Sequence, residues 1–281
     1  MRTKLIFSLL ILFAINIFAQ KEVAKDEDLK AFFKTKTLVV LEANPMSSFN
    51  FKIKDVMKKT WTLTEYDFIE MKDYEKMRRD PQYSFLTLDD VYFEKDKAHA
   101  EYAFLCLSLG GKYTTMSAMP QLACFPLAYR GVEEEYFSYK LAAVVMFLQK
   151  HVLLTSEKKI LGSSNIINYY NSNAPSVKDK MVYMVKDEVG NDINSEAKFG
   201  KIYPYKFKFV SRDELEEIID KQEENAVFFH KVGPTGSGSK GRVYKIFMGV
   251  NGTIYYFGYH SISSKKPDRL LDKDVRRLIK D

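Results

Sequence analysis

The chain has 281 residues, 46% of them hydrophobic and 14% aromatic, with 43 basic against 37 acidic side chains and a net charge of +6. The charges are interspersed rather than gathered in one stripe, which argues against a nucleic-acid or phosphate-binding face. Two cysteines without CxxC spacing argue against a redox pair or a zinc site.

Arg2 and Lys4 open the chain, residues 5–18 are apolar, and Ile17-Phe18-Ala19 places a small residue where signal peptidase cuts. We read residues 1–19 as a cleaved signal peptide and Gln20 as the new first residue. The apolar stretch is short for an uncleaved anchor and is interrupted by Asn16. No cysteine follows it to carry a lipid. Losing Arg2 and Lys4 leaves 41 basic residues against 37 acidic ones, a net of +4. The expected location is the bacterial periplasm or outside the cell, with no membrane span in the mature chain.

Residues 21–30 are charged and expected to be loose; residues 37–41 read as the first strand. Phe49, Ile53, Val56, Met57 and Trp61 share one face of a helix that Ser47 or Ser48 would cap, so Trp61 is expected in the core. Tyr66 and Phe68 alternate with charged residues as in a strand. Tyr74 and Met77 then fall at helical spacing, Asp80-Pro81 stops that helix, and residues 83–86 read as another strand. Asp89-Asp90 reads as a turn. Cys106 and Cys124 lie in the apolar segments 102–109 and 121–127, joined through Gly110-Gly111; they are either a disulfide or two buried thiols. Residues 133–154 read as a long helix with Glu133-Glu134-Glu135 in its first turn, facing the positive end of the dipole. Its residues 141–148 are apolar on all sides, as in a buried helix.

Residues 156–177, rich in Ser and Asn, read as the connection between two halves, and residues 189–197 as an exposed loop. Tyr203, Tyr205, Phe207 and Phe209 alternate with Pro204, Lys206 and Lys208, giving a half-buried strand with an aromatic face. Ser211 and Glu214 form a capping box that starts a helix carrying Leu215, Ile218 and Ile219 on one side. Residues 226–229 close the unit as a strand.

The run Gly233-Pro234-Thr235-Gly236-Ser237-Gly238-Ser239-Lys240 imitates a phosphate loop. Ser239 separates the last glycine of the run from Lys240, however, and the loop joins two strands rather than a strand to a helix. We therefore expect no nucleotide. Asn251-Gly252 between strands 247–250 and 254–259 predicts a type I′ hairpin turn.

The succession of strand, helix, strand, hairpin and helix occurs twice. We expect an α+β fold of two similar α/β halves, an internal duplication, each with a mixed or antiparallel sheet packed with helices and ending in a hairpin plus helix. The halves are placed at residues 20–155 and 178–281, with 156–177 between them. Coincidence between two ordinary α/β segments is the alternative. The strand–helix–strand unit with its following hairpin resembles the small α/β domains of envelope assembly factors. The resemblance covers one unit, rests on topology without a residue motif, and implies only an architecture.

No nucleophile elbow or other catalytic motif occurs. His99, His151, His230 and His260 lack metal-ligand spacing; a site from His230 and His260 would need a nearby carboxylate, and no metal and no cofactor is expected. The reading is a non-catalytic envelope protein, not an enzyme, with a protein-interaction or assembly role and an envelope protein as partner. The alternative is a periplasmic glycan or small-ligand binding module, and a hydrolase is less favoured. Tyr203, Tyr205, Tyr255, Tyr256 and Tyr259 are the candidate binding residues.

Overall fold

Two five-stranded mixed sheets carry the chain, and their strands are ordered identically. The structure, a computed structural model, describes residues 23–93, 100–158, 163–234 and 240–280. The expected signal peptide and His99 lie outside the described residues.

The first sheet contains β1 (Lys36–Leu41), β2 (Tyr66–Glu70), β3 (Tyr83–Tyr92), β4 (Glu101–Leu109) and β5 (Gln121–Tyr129), in the order β2-β1-β3-β4-β5. The second contains β6 (Met181–Val185), β7 (Phe207–Val210), β8 (Ala226–Val232), β9 (Arg242–Gly249) and β10 (Ile254–Ser261), in the order β7-β6-β8-β9-β10. In each, the first strand pairs in parallel with the next two, and the last two strands add on antiparallel. The two halves are therefore the same sheet built twice.

The helices follow from side-chain pattern and caps. Helix α1 (Asp26–Phe32) forms in the charged stretch expected to be loose, because Leu29 and Phe32 are buried one turn apart. Helix α2 (Ser48–Thr60) is capped by Ser47 and buries Phe49, Ile53, Val56 and Met57, with Trp61 also in the core. Helix α3 (Met71–Met77) crosses from β2 to β3. Helix α4 (Leu141–Lys158) starts later than expected: residues 134–140 form two 3₁₀ turns. Helix α5 (Ser163–Asn171) and a 3₁₀ turn at Ala174–Asp179 make up the connection between the two sheets. Asn171 explains the order there, since its side chain bonds both the N–H and the C=O of Phe257 and so covers part of the free edge of β10. Helix α6 (Glu196–Phe199) lies next to the stretch expected to be an exposed loop, in which Val189 and Ile193 are buried. Helix α7 (Arg212–Asp220) opens with the expected reciprocal cap between Ser211 and Glu214. Helix α8 (Asp272–Leu278) ends the described chain. Asp89 and Asp90 stand within β3, not in a turn.

The halves stack in the same sense. Helices α2 and α4 cover one face of the first sheet, and with it they share a continuous core with α7 and the Phe228, Ile246 and Met248 face of the second sheet. Helix α3, the counterpart of α7, covers the opposite, outer face of the first sheet through Tyr74. Helix α8 and Phe199 cover the outer face of the second sheet.

Both outer faces are polar where their counterparts inside are apolar. Cys106 and Cys124 face each other across β4 and β5 with Cα atoms 4.2 Å apart, and the two sulfurs are bonded. The corresponding pair on the inner face of the second sheet is Ile246 and Phe257. Conversely, Leu88 opposite Leu105 inside the first sheet becomes Lys231 opposite Lys245 on the outside of the second. Two like charges across a strand pair repel. Here Asp268 takes Lys231 at 2.7 Å and Asp274 takes Lys245 at 2.5 Å.

The Asn251-Gly252 hairpin forms between β9 and β10, though not as a type I′ turn. Gly252 alone is left-handed, at φ 79°, while Asn251 has a negative φ and accepts from Thr253 N through its side chain. Gly252 also rests on α4: a Cβ there would sit 2.7 Å from Met146 C and 2.9 Å from Ala143 O, and closer still to Phe147 N. Gly131, at φ 84°, has open space around it. Gly252→Ala should therefore cost about 3 kcal/mol, combining left-handed strain with overpacking. Gly131→Ala should cost only about 1 kcal/mol. Urea unfolding of both variants checks this, and equal losses would mean that the hairpin does not bear on α4.

Candidate functional site

In each half the chain leaves the C-terminal end of the central strand, crosses one face of the sheet, and returns across the other face to the strand on the far side. This reversal at β1 and at β6 is the switch point where open α/β sheets take ligands. One segment of the chain itself, residues 133–140, reaches both places.

In the first half, the loop after β1 is held by Asn50, which donates from its side chain to Glu42 O and Asn44 O and accepts from Glu42 N. Glu134 reaches this loop from 85 residues away and takes Phe49 N at 2.9 Å, while Ser47 donates its hydroxyl to the same carboxylate. The acid run was expected to face the dipole of its own helix; Glu134 instead neutralises the N-terminus of α2, where free N–H groups favour an anion. Beside it lies a depression of ≈ 320 Å³ lined by Asn44, Met46, Ser47, Ser48 and Glu133, Glu134 and Glu135. It contains none of the candidate tyrosines.

In the second half, Lys140 enters the crevice past the end of β6 and meets Glu188 at 3.1 Å. Both are buried, at 1% and 6% exposure, and the pair joins the two halves. Next to it, Arg212 pairs with Asp187 at 2.6 Å and covers the ring of Tyr136. Burial, with the charge of Glu188 adding to it, pushes the Tyr139 hydroxyl far above its ordinary range. Burial likewise raises the Asp268 carboxyl to about 6, against the opposing pull of Lys231.

His230 is fully buried in the same region, stacked on Phe125 and bonded through Nε2 to Pro126 O at 2.9 Å. Burial first, and the Lys140 charge second, lower it to about 3, so it is a neutral structural imidazole. His260 bonds Pro267 O from the other face of the second sheet, beside Lys245 and Asp274, so the two histidines cannot share a metal. His151 bonds Tyr170 from α4. No metal-holding group of three His, Cys, Asp or Glu occurs among the described residues.

The five candidate tyrosines do not form one site. Tyr203 is fully buried among Phe199, Tyr205 and Phe207, and Tyr255 and Tyr256 belong to the core of the second half. The aromatic face read along residues 203–209 is real, but it faces α6 and serves packing; only Phe207–Val210 is a strand. Tyr205 is half-buried at the rim of that cluster. Tyr259 is exposed, at 54%. It stands in a second aromatic group where the two sheets meet: Phe93, Tyr102, Phe104, Tyr129, Tyr244, Phe257 and Tyr259 touch edge to face or tilted, across both halves. Arg242 lies in it, 4.4 Å from the Phe93 ring and 5.4 Å from the Tyr259 ring. Tyr102 fixes the Arg242 backbone, its hydroxyl accepting from N at 2.6 Å and donating to O at 3.1 Å.

Among the described residues, the helical stretch Glu134–Glu157, the two 3₁₀ turns together with α4, is long and apolar enough to cross a membrane on length and composition alone, a test that core helices also pass; 67% of its apolar window is buried in the protein. Comparison with protein-family models, with characterised proteins and with solved structures finds no match.

Two outcomes are expected. Lys140→Ala should cost about 3 kcal/mol by stranding Glu188, whereas Lys140→Met combined with Glu188→Leu should return to within about 1 kcal/mol of the parent in denaturant unfolding. His230 titrates below its unfolded value of about 6.5, so the unfolded chain binds the extra proton. Its contribution is complete above pH 6.5 and is lost as pH falls towards 3, with a slope of about 1.4 kcal/mol per unit. His230→Gln should remove that slope while leaving the one due to His151, whose imidazole burial also lowers to about 4.

Proposed function

We propose that the chain is an exported, non-catalytic protein of the bacterial cell envelope whose two stacked repeats form a platform for another protein. The observation that carries this reading is the aromatic group around Arg242 and Tyr259 that reaches the surface where the two halves meet, while residues 133–140 bind into both switch points. A surface that presents Tyr, Phe and Arg together has the composition of a protein contact. The seam position favours a partner that touches both halves. Export rests on Arg2, Lys4, the apolar residues 5–18 and Ala19.

Two measurements test the reading. Mass spectrometry of the protein from its host should give a mature N-terminus at Gln20; a chain still beginning at Met1 would remove the export half of the proposal. A photo-crosslinking amino acid at position 259 should capture one envelope protein in defined stoichiometry. The same probe at Phe51, exposed on α2, serves as the control. Equal capture from both positions, or none from 259, would overturn the platform reading.

A further inference from the structure

We infer that the surface around Arg242 takes a carboxylate from an acidic, aromatic- or apolar-flanked segment of the partner protein. The inference rests on the platform reading and names the chemistry of the contact.

Arg242 is half-buried, and among the described residues no aspartate or glutamate pairs with it. The most deeply withdrawn cations are compensated, Lys140 by Glu188, Lys231 by Asp268, Lys245 by Asp274 and Arg78 by Glu75; Arg242 is not, and unlike half-buried Arg269, which donates to the backbone oxygens of Asp187 and Val189, it lies among aromatic rings. Withdrawing a charge from water without a partner is costly, and a partner arriving later recovers the cost. The guanidinium carbon lies over the rings of Phe93 and Tyr259, 4.4 and 5.4 Å from their centroids. Ring contacts of that kind do not neutralise the cation or use up its five N–H donors. Tyr244 takes a hydrogen bond from it, which does not cancel the charge. The Tyr102 clamp on the Arg242 backbone and the ring contacts hold the group before any partner arrives, so little ordering entropy is added on binding.

A planar fork matches the two oxygens of a carboxylate. The exposed Tyr259 and half-buried Phe93, Tyr129 and Phe257 around it suit an apolar or aromatic neighbour on the same segment. A phosphate would match the fork equally but gains nothing from an aromatic rim, which is why a protein acid is the assigned occupant.

The test uses the purified, isotope-labelled protein and two small probes, N-acetyl-phenylalanine and its uncharged amide, with inorganic phosphate as a third. The acid should shift the Arg242 Nε–H and the amides of Phe93, Tyr129 and Tyr259, saturating in the millimolar range and binding about tenfold more tightly than the amide. Arg242→Gln should abolish that preference without changing the melting temperature, and Arg242→Lys should retain only part of it. Equal binding of acid and amide, phosphate binding as tight as the acid, or no response at tens of millimolar would each overturn the inference. If Arg242→Gln still yields the full crosslink from position 259, the platform stands and the carboxylate contact falls. Binding of the acid without any crosslink would remove the platform instead.

Discussion

Helix α4 is claimed from two sides: β5 and α2 of the first half pack on it, and the hairpin of the second half presses on its backbone at Ala143, Met146 and Phe147. Leu141, Ala142, Ala143, Val144, Val145, Phe147 and Leu148 are all buried as a result. A helix facing water on one side would carry a polar stripe there, and this one has none until Gln149 and Lys150. Gln149 itself is used: it accepts from Thr62 N and donates to Thr60 O, tying the end of α2 to the same helix. The close approach that only glycine permits at position 252 follows from this shared helix, and the short segment that leads into it carries Glu134 and Lys140 to the switch points of the two halves.

How much of this was legible in the sequence depends on how far each interaction reaches along the chain. The Ser211–Glu214 cap spans three residues and is legible in the sequence, as are the duplicated succession of elements and the position of the Asn251-Gly252 hairpin, though not its turn type. Glu134 was assigned to its own helix because its real partner, Ser47, is 87 residues away; Lys140 and Glu188 are 48 apart. Alternation along residues 203–209 identified an aromatic face but could not say what lies opposite, and Phe199, which covers it, sits in a stretch too polar to announce a helix. Arg242 escaped notice altogether. The signal for it is two-dimensional: an arginine at the start of one strand opposite aromatics on three others, which no single-strand period encodes.

The duplication has been finished differently at its two ends. Repeats stacked in one sense expose, at each end, a face that another repeat would cover, so the terminal faces must be made unattractive. The first half does this with Cys106–Cys124, Thr87 and Ser108 in the positions where the second half has Ile246, Phe257, His230 and Met248. The second half does it with Lys231 and Lys245, each held by an aspartate, where the first has leucines. The identity of the strand order and the difference of the outer faces are together what a closed pair requires.

The shared helix also orders events in time. A ribosome completes the first half, α4 included, well before Glu188, Phe228 or Gly252 exists, and a chain that enters an export channel emerges in the same direction. Until the second sheet arrives, α4 and the edge of β5 present an apolar surface to the surroundings, with Lys140 at its margin lacking its carboxylate. Such a surface is a target for holdase chaperones and an invitation to pair with a neighbouring nascent chain. The two halves are thus unequal in biogenesis even though they share a topology: the first carries part of a shared core that the second covers.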